Sequence, residues 1–182
     1  LKTDTANELV QRRLHGHLPP IAAQRAFPHH QCMSTRLPPP LLLLLAGIGA
    51  WAIDQWLPAI RVDLPGQATL AIILAALSVA VMILSATWFA RAHTTINPMH
   101  PEQTSRLITT GPYARSRNPI YLADAVLLFA WILWLGNLAS LVVLPAFTIA
   151  LTYWQIRPEE DALAMKFGED YRAYCRRTRR WL

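Results

Sequence analysis

The sequence predicts an all-α integral membrane protein with about four transmembrane helices and a C-terminal amphipathic helix at the membrane interface. Three observations lead to this class. The chain of 182 residues is 53% hydrophobic and only 15% charged, whereas about a quarter of the residues in soluble domains are charged. The apolar residues are concentrated in blocks long enough for a helix to cross a bilayer. Most Lys and Arg residues lie in the segments that flank these blocks.

The N-terminal region differs in composition from the rest of the chain. Residues 1–36 are polar and contain no apolar run of the signal-peptide type. Met33 stands just before the first apolar block, so we expect it to be the natural start and residues 1–32 to be an over-extended reading of the gene. If these residues are translated, their composition predicts a disordered extension. The membrane domain is then expected to occupy residues 37–182.

Four apolar blocks are predicted to cross the bilayer, since a spanning helix needs about 20 residues. Asp54 lies near the far end of the first block, and the second block contains no charged residue. Gly136 and Asn137 form a short turn that joins the third and fourth blocks into a hairpin, and Pro145 is expected to kink the fourth. The predicted spans cover approximately residues 40–60, 67–90, 119–135 and 138–156.

The distribution of positive charge predicts the orientation of these spans. The connection after the second span and the tail after the fourth are rich in arginine, whereas the first connection carries Arg61, offset by Asp63. Basic connections stay on the cytosolic side of a membrane. We therefore expect the arginine-rich loop, the tail and an active site formed by them to face the cytosol, at the inner or plasma membrane if the protein is bacterial.

Composition also bounds the partners. In a soluble protein, a net charge of +6 would suggest nucleic acid as a partner. Here the charged residues flank apolar blocks, and no nucleic-acid-binding motif accompanies them. Cys32 and Cys175 lie far apart, and no CxxC spacing occurs. We therefore expect membrane lipids as partners, and neither nucleic acid nor a bound metal.

The residues just before the third span form two short motifs. Pro119 suits the first turn of a helix, where its missing N–H costs nothing. A purely structural interpretation makes Asn118 the N-cap of this helix, and assigns Arg117 to lipid headgroups and Tyr121 to the aromatic belt. The two motifs are Gly111-Pro112-Tyr113 and Arg117-Asn118-Pro119-Ile120-Tyr121.

The tail after the fourth span is predicted to form a helix over residues 158–181. Pro158 and the acidic pair Glu159-Glu160 suit the start of a helix, where acids complement the helix dipole. Alternatively, these carboxylates lie close enough to the membrane to bind a cationic ligand or a buried arginine. Apolar residues one turn apart give the tail an amphipathic pattern suited to the interface, with Trp181 as a last anchor.

Taken together, the motifs resemble the isoprenylcysteine carboxyl methyltransferase family, which is related to the phospholipid N-methyltransferases. The resemblance covers about residues 94–182, half of the chain. One departure is Asn118, where the family commonly has His, and Asn forms hydrogen bonds but does not act as an acid or base near neutral pH. The motifs are, in order, Leu-Ile-Thr-Thr-Gly-Pro-Tyr, Arg-Asn-Pro-Ile-Tyr, Pro-Glu-Glu, Phe-Gly-Glu-Asp-Tyr and a closing Arg-Trp-Leu.

The resemblance implies a membrane-embedded enzyme that uses S-adenosyl-L-methionine to methylate a lipophilic small molecule or a lipid-modified substrate. It implies a cofactor site built from the third and fourth spans, the cytosolic loop and the tail. Carried over residue by residue, the catalytic positions are Arg117, Asn118 and Tyr121. The cofactor-binding positions are Gly111, Pro112, Tyr113, Asn118, Pro119, Tyr121, Glu159 and Glu160.

The resemblance leaves the methyl acceptor open. A carboxylate of the isoprenylcysteine type is the first expectation, and it needs no general base. A phospholipid amine is the alternative acceptor, and a non-catalytic small membrane carrier or accessory protein is the alternative class. A carrier should show internal repeats or broken helices near the midplane. The sequence shows no repeat, and its polar residues cluster on one side, which favours an enzyme.

Overall fold

The computed structural model describes residues 37–91 and 107–182, and every regular element in these two stretches is helical. The predicted all-α class is therefore confirmed. The predicted start at Met33, the extension over residues 1–36 and the loop residues 92–106 lie outside the described residues. The α-helices are α1 (Pro39–Trp56), α2 (Gln67–Arg91), α3 (Pro119–Leu135), α4 (Val143–Leu151) and α5 (Arg157–Arg177).

The first helix is shorter than the first predicted span. α1 ends at Trp56, and a 3₁₀ turn over Pro58–Ile60 follows it. Leu57 adopts φ −124° and ψ 55°, outside the helical region, because the ring of a following proline disfavours the α conformation. The end of the first helix is thus fixed by a local steric effect.

Two helical stretches of the described chain are long and apolar enough to cross a membrane. One is Gln67–Trp88 within α2, and the other is the continuous stretch Leu138–Arg177. α3 is apolar but shorter, at 17 residues. By length and composition, two of the four predicted spans thus correspond to helical stretches of the described residues that could cross a membrane.

The distribution of side chains on α2 is the reverse of that on a helix of a water-soluble protein. It buries Ala71, Ser78 and Ser85, which follow one another at intervals of two turns. In contrast, Ile72 is 58% exposed and Ile83 is 60% exposed. Helices in membranes pack through small residues and turn large apolar side chains towards lipid, so this pattern indicates a lipid-facing helix.

Side-chain hydrogen bonds fix how the helices pair around α3. The Gln67 amide at the start of α2 donates to the carbonyl of Leu133 near the end of α3 (2.7 Å), so these helices are antiparallel. The Trp131 indole of α3 donates to the carbonyl of Gly47 in α1 (3.1 Å). The core between α1, α3 and the fourth helical stretch consists of Leu42, Ala50, Tyr121, Leu128, Ile132, Phe147, Leu151 and Ile156.

A hydrogen-bond cluster around the buried Asp54 carboxylate connects the end of α1 to the turn after α3. Asp54 is 2% exposed, and Arg61 donates to both of its oxygens, through Nε at 2.6 Å and through Nη2. Asn137 donates to Asp54 at 3.3 Å and to the carbonyl of Leu57 at 2.9 Å. α1 and α3 therefore run parallel, with their C-terminal ends joined.

We expect Asp54→Asn to lower the free energy of unfolding by about 1–3 kcal/mol, because it removes the charged acceptor of a buried hydrogen-bond cluster. Thermal unfolding in detergent micelles measures the loss. Asp63→Asn is the matched control, since Asp63 is exposed on the same loop, and it should change stability by less than about 0.5 kcal/mol. Equal effects of the two substitutions would contradict a special role for Asp54.

The fourth helical stretch differs from the prediction in two places. A kink at Pro145 was expected, but the stretch opens as a 3₁₀ turn over Leu138–Val142, and Pro145 falls in the first turn of α4. The departure from α geometry is instead a π-helical segment, Thr152–Ile156, which joins α4 directly to α5. The tail is thus a continuation of the fourth stretch, bent at Gly168 (φ 52°).

Candidate functional site

Arg117 is the hub of a polar cluster at the end of the helices where α3 begins and α5 follows the fourth stretch. Its Nη2 donates to the Glu160 carboxylate at 2.8 Å, and its Nη1 donates to the carbonyl of Thr178 at 2.6 Å. Its backbone N–H donates to the carbonyl of Arg179 at 2.9 Å. The side chain is only 13% exposed, so assigning it to lipid headgroups was wrong.

Glu160 lies between two guanidinium groups. Arg180 donates to the same carboxylate through Nη2 at 2.6 Å and through Nε at 3.1 Å, opposite Arg117. Burial opposes ionisation of Glu160, but the hydrogen bonds from Arg180 and Arg117 outweigh it and hold the pKa of this carboxyl below its ordinary value. Both carboxylate oxygens are occupied by arginine, so Glu160 acts as a structural link.

Glu159 faces a different set of side chains from its neighbour. The Tyr121 hydroxyl donates to it at 3.1 Å, and Tyr121 is buried in α3, so the aromatic-belt interpretation was wrong. Burial, and after it the negative charge of Glu159, raise the pKa of Tyr113. The tyrosine of the Gly-Pro-Tyr motif therefore lies near the same carboxylate. Glu159 is thus a partly buried carboxylate that lies near two tyrosine side chains.

The helix-dipole interpretation of the two glutamates does not hold. Ile156, the residue before α5, has helical φ and ψ, and the π segment runs into α5 without a break. There is no free helix N-terminus at this point, and thus no set of unpaired N–H groups for acids to complement. The two carboxylates are held by side-chain contacts.

Asn118 holds the chain terminus rather than capping α3. It occupies the N-cap position, but its side chain makes no capping bond there. Its amide instead donates to the carbonyl of Arg180 at 3.0 Å, and its backbone N–H donates to the Ser116 hydroxyl at 3.1 Å. Pro119 begins the helix as expected. Asn118 thus connects the start of α3 to the last residues of the chain.

Gly111 has a conformation and a contact that both require glycine. Its φ is +63°, and a Cβ at this position would overlap the indole of Trp88 in α2. The following turn, Gly111–Ala114, is closed onto the tail by the Tyr174 hydroxyl, which donates to the carbonyl of Tyr113 at 2.7 Å. The motif therefore joins α2 to α5 beside the glutamates.

Comparison with known proteins identifies the family. Residues 67–170, more than half of the chain, match the family model for phospholipid methyltransferase. The chain belongs to the phospholipid methyltransferase family. This family contains the isoprenylcysteine carboxyl methyltransferase-like proteins, so the resemblance read from the motifs is confirmed.

Relatives add little about activity. An uncharacterized protein of Haemophilus influenzae is 41% identical over 63 residues, which is 35% of this chain and all of that protein. No solved structure matches the chain. The phospholipid methyltransferase family supports a membrane methyltransferase, with lipids or lipophilic compounds as substrates.

A member of the phospholipid methyltransferase family should accommodate S-adenosyl-L-methionine, which carries a sulfonium, an ammonium and an aromatic base. The chemistry around Glu159 fits this group, because a partly buried carboxylate attracts cations and the neighbouring Tyr113 and Tyr121 offer aromatic faces. Glu160 does not offer the same chemistry, since arginines occupy both of its oxygens. Of the two predicted glutamates, Glu159 is the candidate for direct contact.

Sequence reasoning missed three contributors from the end of the chain. Arg180 was counted only as a cytosolic charge, yet it forms half of the clamp on Glu160. Thr178 and Tyr174 contribute a carbonyl and a hydroxyl to the same assembly. Trp181, expected as a membrane anchor, packs against the helical core instead. The closing Arg-Trp-Leu motif was the available signal for this role.

Proposed function

We propose that the protein is a membrane-embedded, S-adenosyl-L-methionine-dependent methyltransferase acting on a lipophilic acceptor. The observation that carries the proposal is the partly buried Glu159 carboxylate beside Tyr121 and Tyr113, held at the end of the helices in a chain of this family. When bound, the cofactor supplies an electrophilic methyl group. Methyl transfer then needs mainly alignment and exclusion of water, which enclosed side chains provide.

The residues of the site take different roles in this proposal. Glu159 attracts the cationic part of the cofactor, and Tyr113 and Tyr121 enclose it. Gly111 and Pro112 set the turn that brings Tyr113 to the site. Four further residues hold these groups in position through the contacts described above: Arg117, Asn118, Pro119 and Glu160.

In this proposal the chain crosses the membrane four times, through α1, α2, α3 and residues 138–156, and the site faces the cytosol. The hydrogen bonding at the two ends supports it. Val62 donates to the carbonyl of Gly136 at 2.8 Å, so the two short connections lie together at one end. The Arg117–Glu160–Arg180 cluster lies at the other end, which carries the arginine-rich segments.

Reporter fusions test this orientation. A reporter inserted near Pro65 should read external, and reporters near Asn97 and after Leu182 should read cytosolic. The physical reason is that arginine-rich connections are retained on the cytosolic side. Opposite signals from the last two positions would contradict an even number of crossings between them.

Equilibrium binding tests the proposed activity. Purified protein in lipid nanodiscs should retain methyl-labelled S-adenosyl-L-methionine, and unlabelled cofactor should displace it. Incubation with total lipid extract or with small prenylcysteines should then transfer the label to an extractable product, identified by mass spectrometry. A carrier or an accessory protein would transfer no label to either acceptor, and absence of retained cofactor would overturn the proposal.

Two acceptor classes compete within this proposal. The resemblance puts an isoprenylcysteine carboxylate first and a phospholipid amine second. The two differ in charge, since a carboxylate is an anion and an amine is readily a cation. The charge of the side chains on the acceptor side of the site therefore distinguishes them.

A further inference from the structure

The two tyrosines of the proposed cofactor site are covered in the structure. Tyr113 and Tyr121 are each 6% exposed, although a ligand beside Glu159 has to reach their faces. The last residues of the chain contribute to this cover. The Tyr174 hydroxyl donates to the carbonyl of Tyr113 at 2.7 Å, and Trp181 packs against the helical core that contains Tyr121. To lie against both rings, a ligand therefore has to displace part of this cover.

The backbone changes direction just before the covering residues. Gly168 interrupts α5 with φ 52° and ψ −119°, and the helix continues beyond it to Arg177. A Cβ on Gly168 would meet no atom within 4 Å, so glycine is required here by the backbone conformation and not by packing. Hinges are a few residues that absorb changes in φ and ψ. Gly168 thus has the properties of a hinge for residues 169–182, which we call the strap.

Hydrogen bonds fasten the strap at the end away from this hinge. The backbone N–H of Arg117 donates to the carbonyl of Arg179 at 2.9 Å, and its Nη1 donates to the carbonyl of Thr178 at 2.6 Å. The Asn118 amide donates to the carbonyl of Arg180 at 3.0 Å. Water can replace the partners in such bonds, so breaking them costs far less than burying the same groups unpaired. The contacts can therefore open and re-form.

An ion pair completes the fastening of the strap. Arg180 donates through Nη2 to the Glu160 carboxylate at 2.6 Å, and its side chain is 36% exposed, so water can reach it. Glu169 pairs with Arg172 and Arg176, but all three residues belong to the strap and move together with it. The Arg180–Glu160 pair instead joins the strap to the start of α5, and we call it the latch.

We infer that the strap turns about Gly168 to admit S-adenosyl-L-methionine and closes over the bound cofactor through the latch. The inference rests on the proposed function and states how entry to that same site is controlled. Opening withdraws Tyr174 and Trp181 and uncovers the two tyrosines beside Glu159. Closing returns this cover and excludes water from the site, which favours methyl transfer.

A reversible disulfide can fix the strap in its closed position. Ser116 and Arg179 are partners in a parallel β-bridge, and bridged backbones lie about 4.8 Å apart, within the Cα separation that a disulfide spans. The variant combines Ser116→Cys and Arg179→Cys, with Cys32 and Cys175 replaced by serine. Mass spectrometry detects the disulfide in free and in cofactor-loaded protein. Its absence from both would show that the strap does not take the described position, and would overturn the inference.

Labelled S-adenosyl-L-methionine measures entry and release in nanodiscs. Oxidation before loading should slow uptake at least about tenfold, and oxidation after loading should slow release at least about tenfold. Reduction should restore both rates, and the single variants Ser116→Cys and Arg179→Cys should not respond to the oxidant. A strap with a purely structural role would give the same uptake and release with and without the disulfide, and that result would overturn the inference.

Substitutions at two adjacent arginines test the latch without a disulfide. Arg180→Gln removes the charge that pairs with Glu160 and should speed release of the labelled cofactor about tenfold or more. Arg179→Gln is the matched control, because the Arg179 side chain is exposed and its contact is with the carbonyl of Leu182 at 3.5 Å. Release from this variant should stay within about twofold of the wild type. Equal release rates in the two variants would overturn the inference.

Hydrogen exchange separates this inference from the proposed function, because it needs no ligand. The peptide over residues 111–118 contains the Arg117 N–H that donates to the strap. Its exchange should be at least about tenfold faster in Arg180→Gln than in Arg179→Gln, and the disulfide should slow it. If cofactor is retained but neither the disulfide nor the substitutions change its rates, the inference fails alone. If the wild-type chain retains no cofactor, the proposed function fails, while the exchange of this peptide still decides whether the strap opens.

Discussion

Glu159→Gln should weaken binding of S-adenosyl-L-methionine at least about thirtyfold, the equivalent of about 2 kcal/mol. The substitution preserves shape and leaves an oxygen to accept the hydrogen bond of Tyr121, so it removes little besides the charge. Losing one partner of a desolvated charge pair costs about 2–5 kcal/mol. Equilibrium binding of labelled cofactor in nanodiscs measures the change, and the free energy of unfolding should be nearly that of the wild type.

Asp161→Asn is the control for this substitution. Asp161 lies on the same turn of α5 but is exposed, so its replacement should leave cofactor binding within about twofold of the wild type. Equal weakening by both substitutions would indicate a general electrostatic attraction rather than a contact at Glu159. Normal binding in both would move the cofactor site away from α5.

Glu160→Gln should instead act on stability, lowering the free energy of unfolding by about 3–5 kcal/mol. The substitution leaves the guanidinium groups of Arg117 and Arg180 close together, and Arg117 is 13% exposed. Because Arg180 is 36% exposed and can turn to water, the lower end of this range is expected. Thermal or denaturant unfolding in detergent micelles measures the loss.

Glu169 provides the matched control on the same helix. It also binds two arginines, Arg172 and Arg176, each at 2.8 Å, but all three side chains are more than 60% exposed. Water and salt screen exposed ion pairs, so Glu169→Gln should leave the free energy of unfolding almost unchanged. If Glu169→Gln and Glu160→Gln lose the same stability, burial is not what gives the Arg117–Glu160–Arg180 cluster its importance.

The dependence of stability on pH provides a second measurement of the same cluster. The pKa of Glu160 is lower in the folded protein than in the unfolded chain. Its contribution is therefore fully present above the unfolded pKa of about 4.3 and is lost as the pH falls through the folded value. Wild-type stability should decline below about pH 4, and Glu160→Gln should reduce the slope of this decline.

The division of roles between adjacent glutamates has a simple structural origin. Successive residues of a helix point about 100° apart, so Glu159 and Glu160 face different neighbours. Glu159 faces Tyr121 at the start of α3, and Glu160 faces Arg117 and Arg180. The two glutamates form one acidic motif in the sequence, but in the structure Glu159 is the candidate ligand group and Glu160 is a structural link.

The predicted site residues converge to different degrees. Tyr113, Tyr121 and Glu159 come together, although they are far apart in the sequence. Asn118 lies next to them along the chain, but its amide is used to hold the carbonyl of Arg180. We therefore propose a positioning role for Asn118, which needs only a hydrogen bond and which an asparagine can fill.

The sequence by itself determined the helical class, the apolar blocks and the motifs that mark the family. Apolar runs and prolines act locally, so the start of α3 at Pro119 and the turn at Gly136 follow from neighbouring residues. Local pattern could not reveal that the tail continues the fourth stretch through a π segment, because that geometry depends on what α5 packs against.

Only the tertiary structure decided which charges are paired and which are not. Arg117, Glu160 and Arg180 are separated by 43 and 20 residues, and the motifs that contain them do not show that these three charges pair with one another. Asp124 reads from the sequence as one polar residue in an apolar span, and its burial without a described partner is visible only once the helices are assembled. The physical reason is that the energy of a charge depends on its burial and its partners, and packing of distant segments sets both.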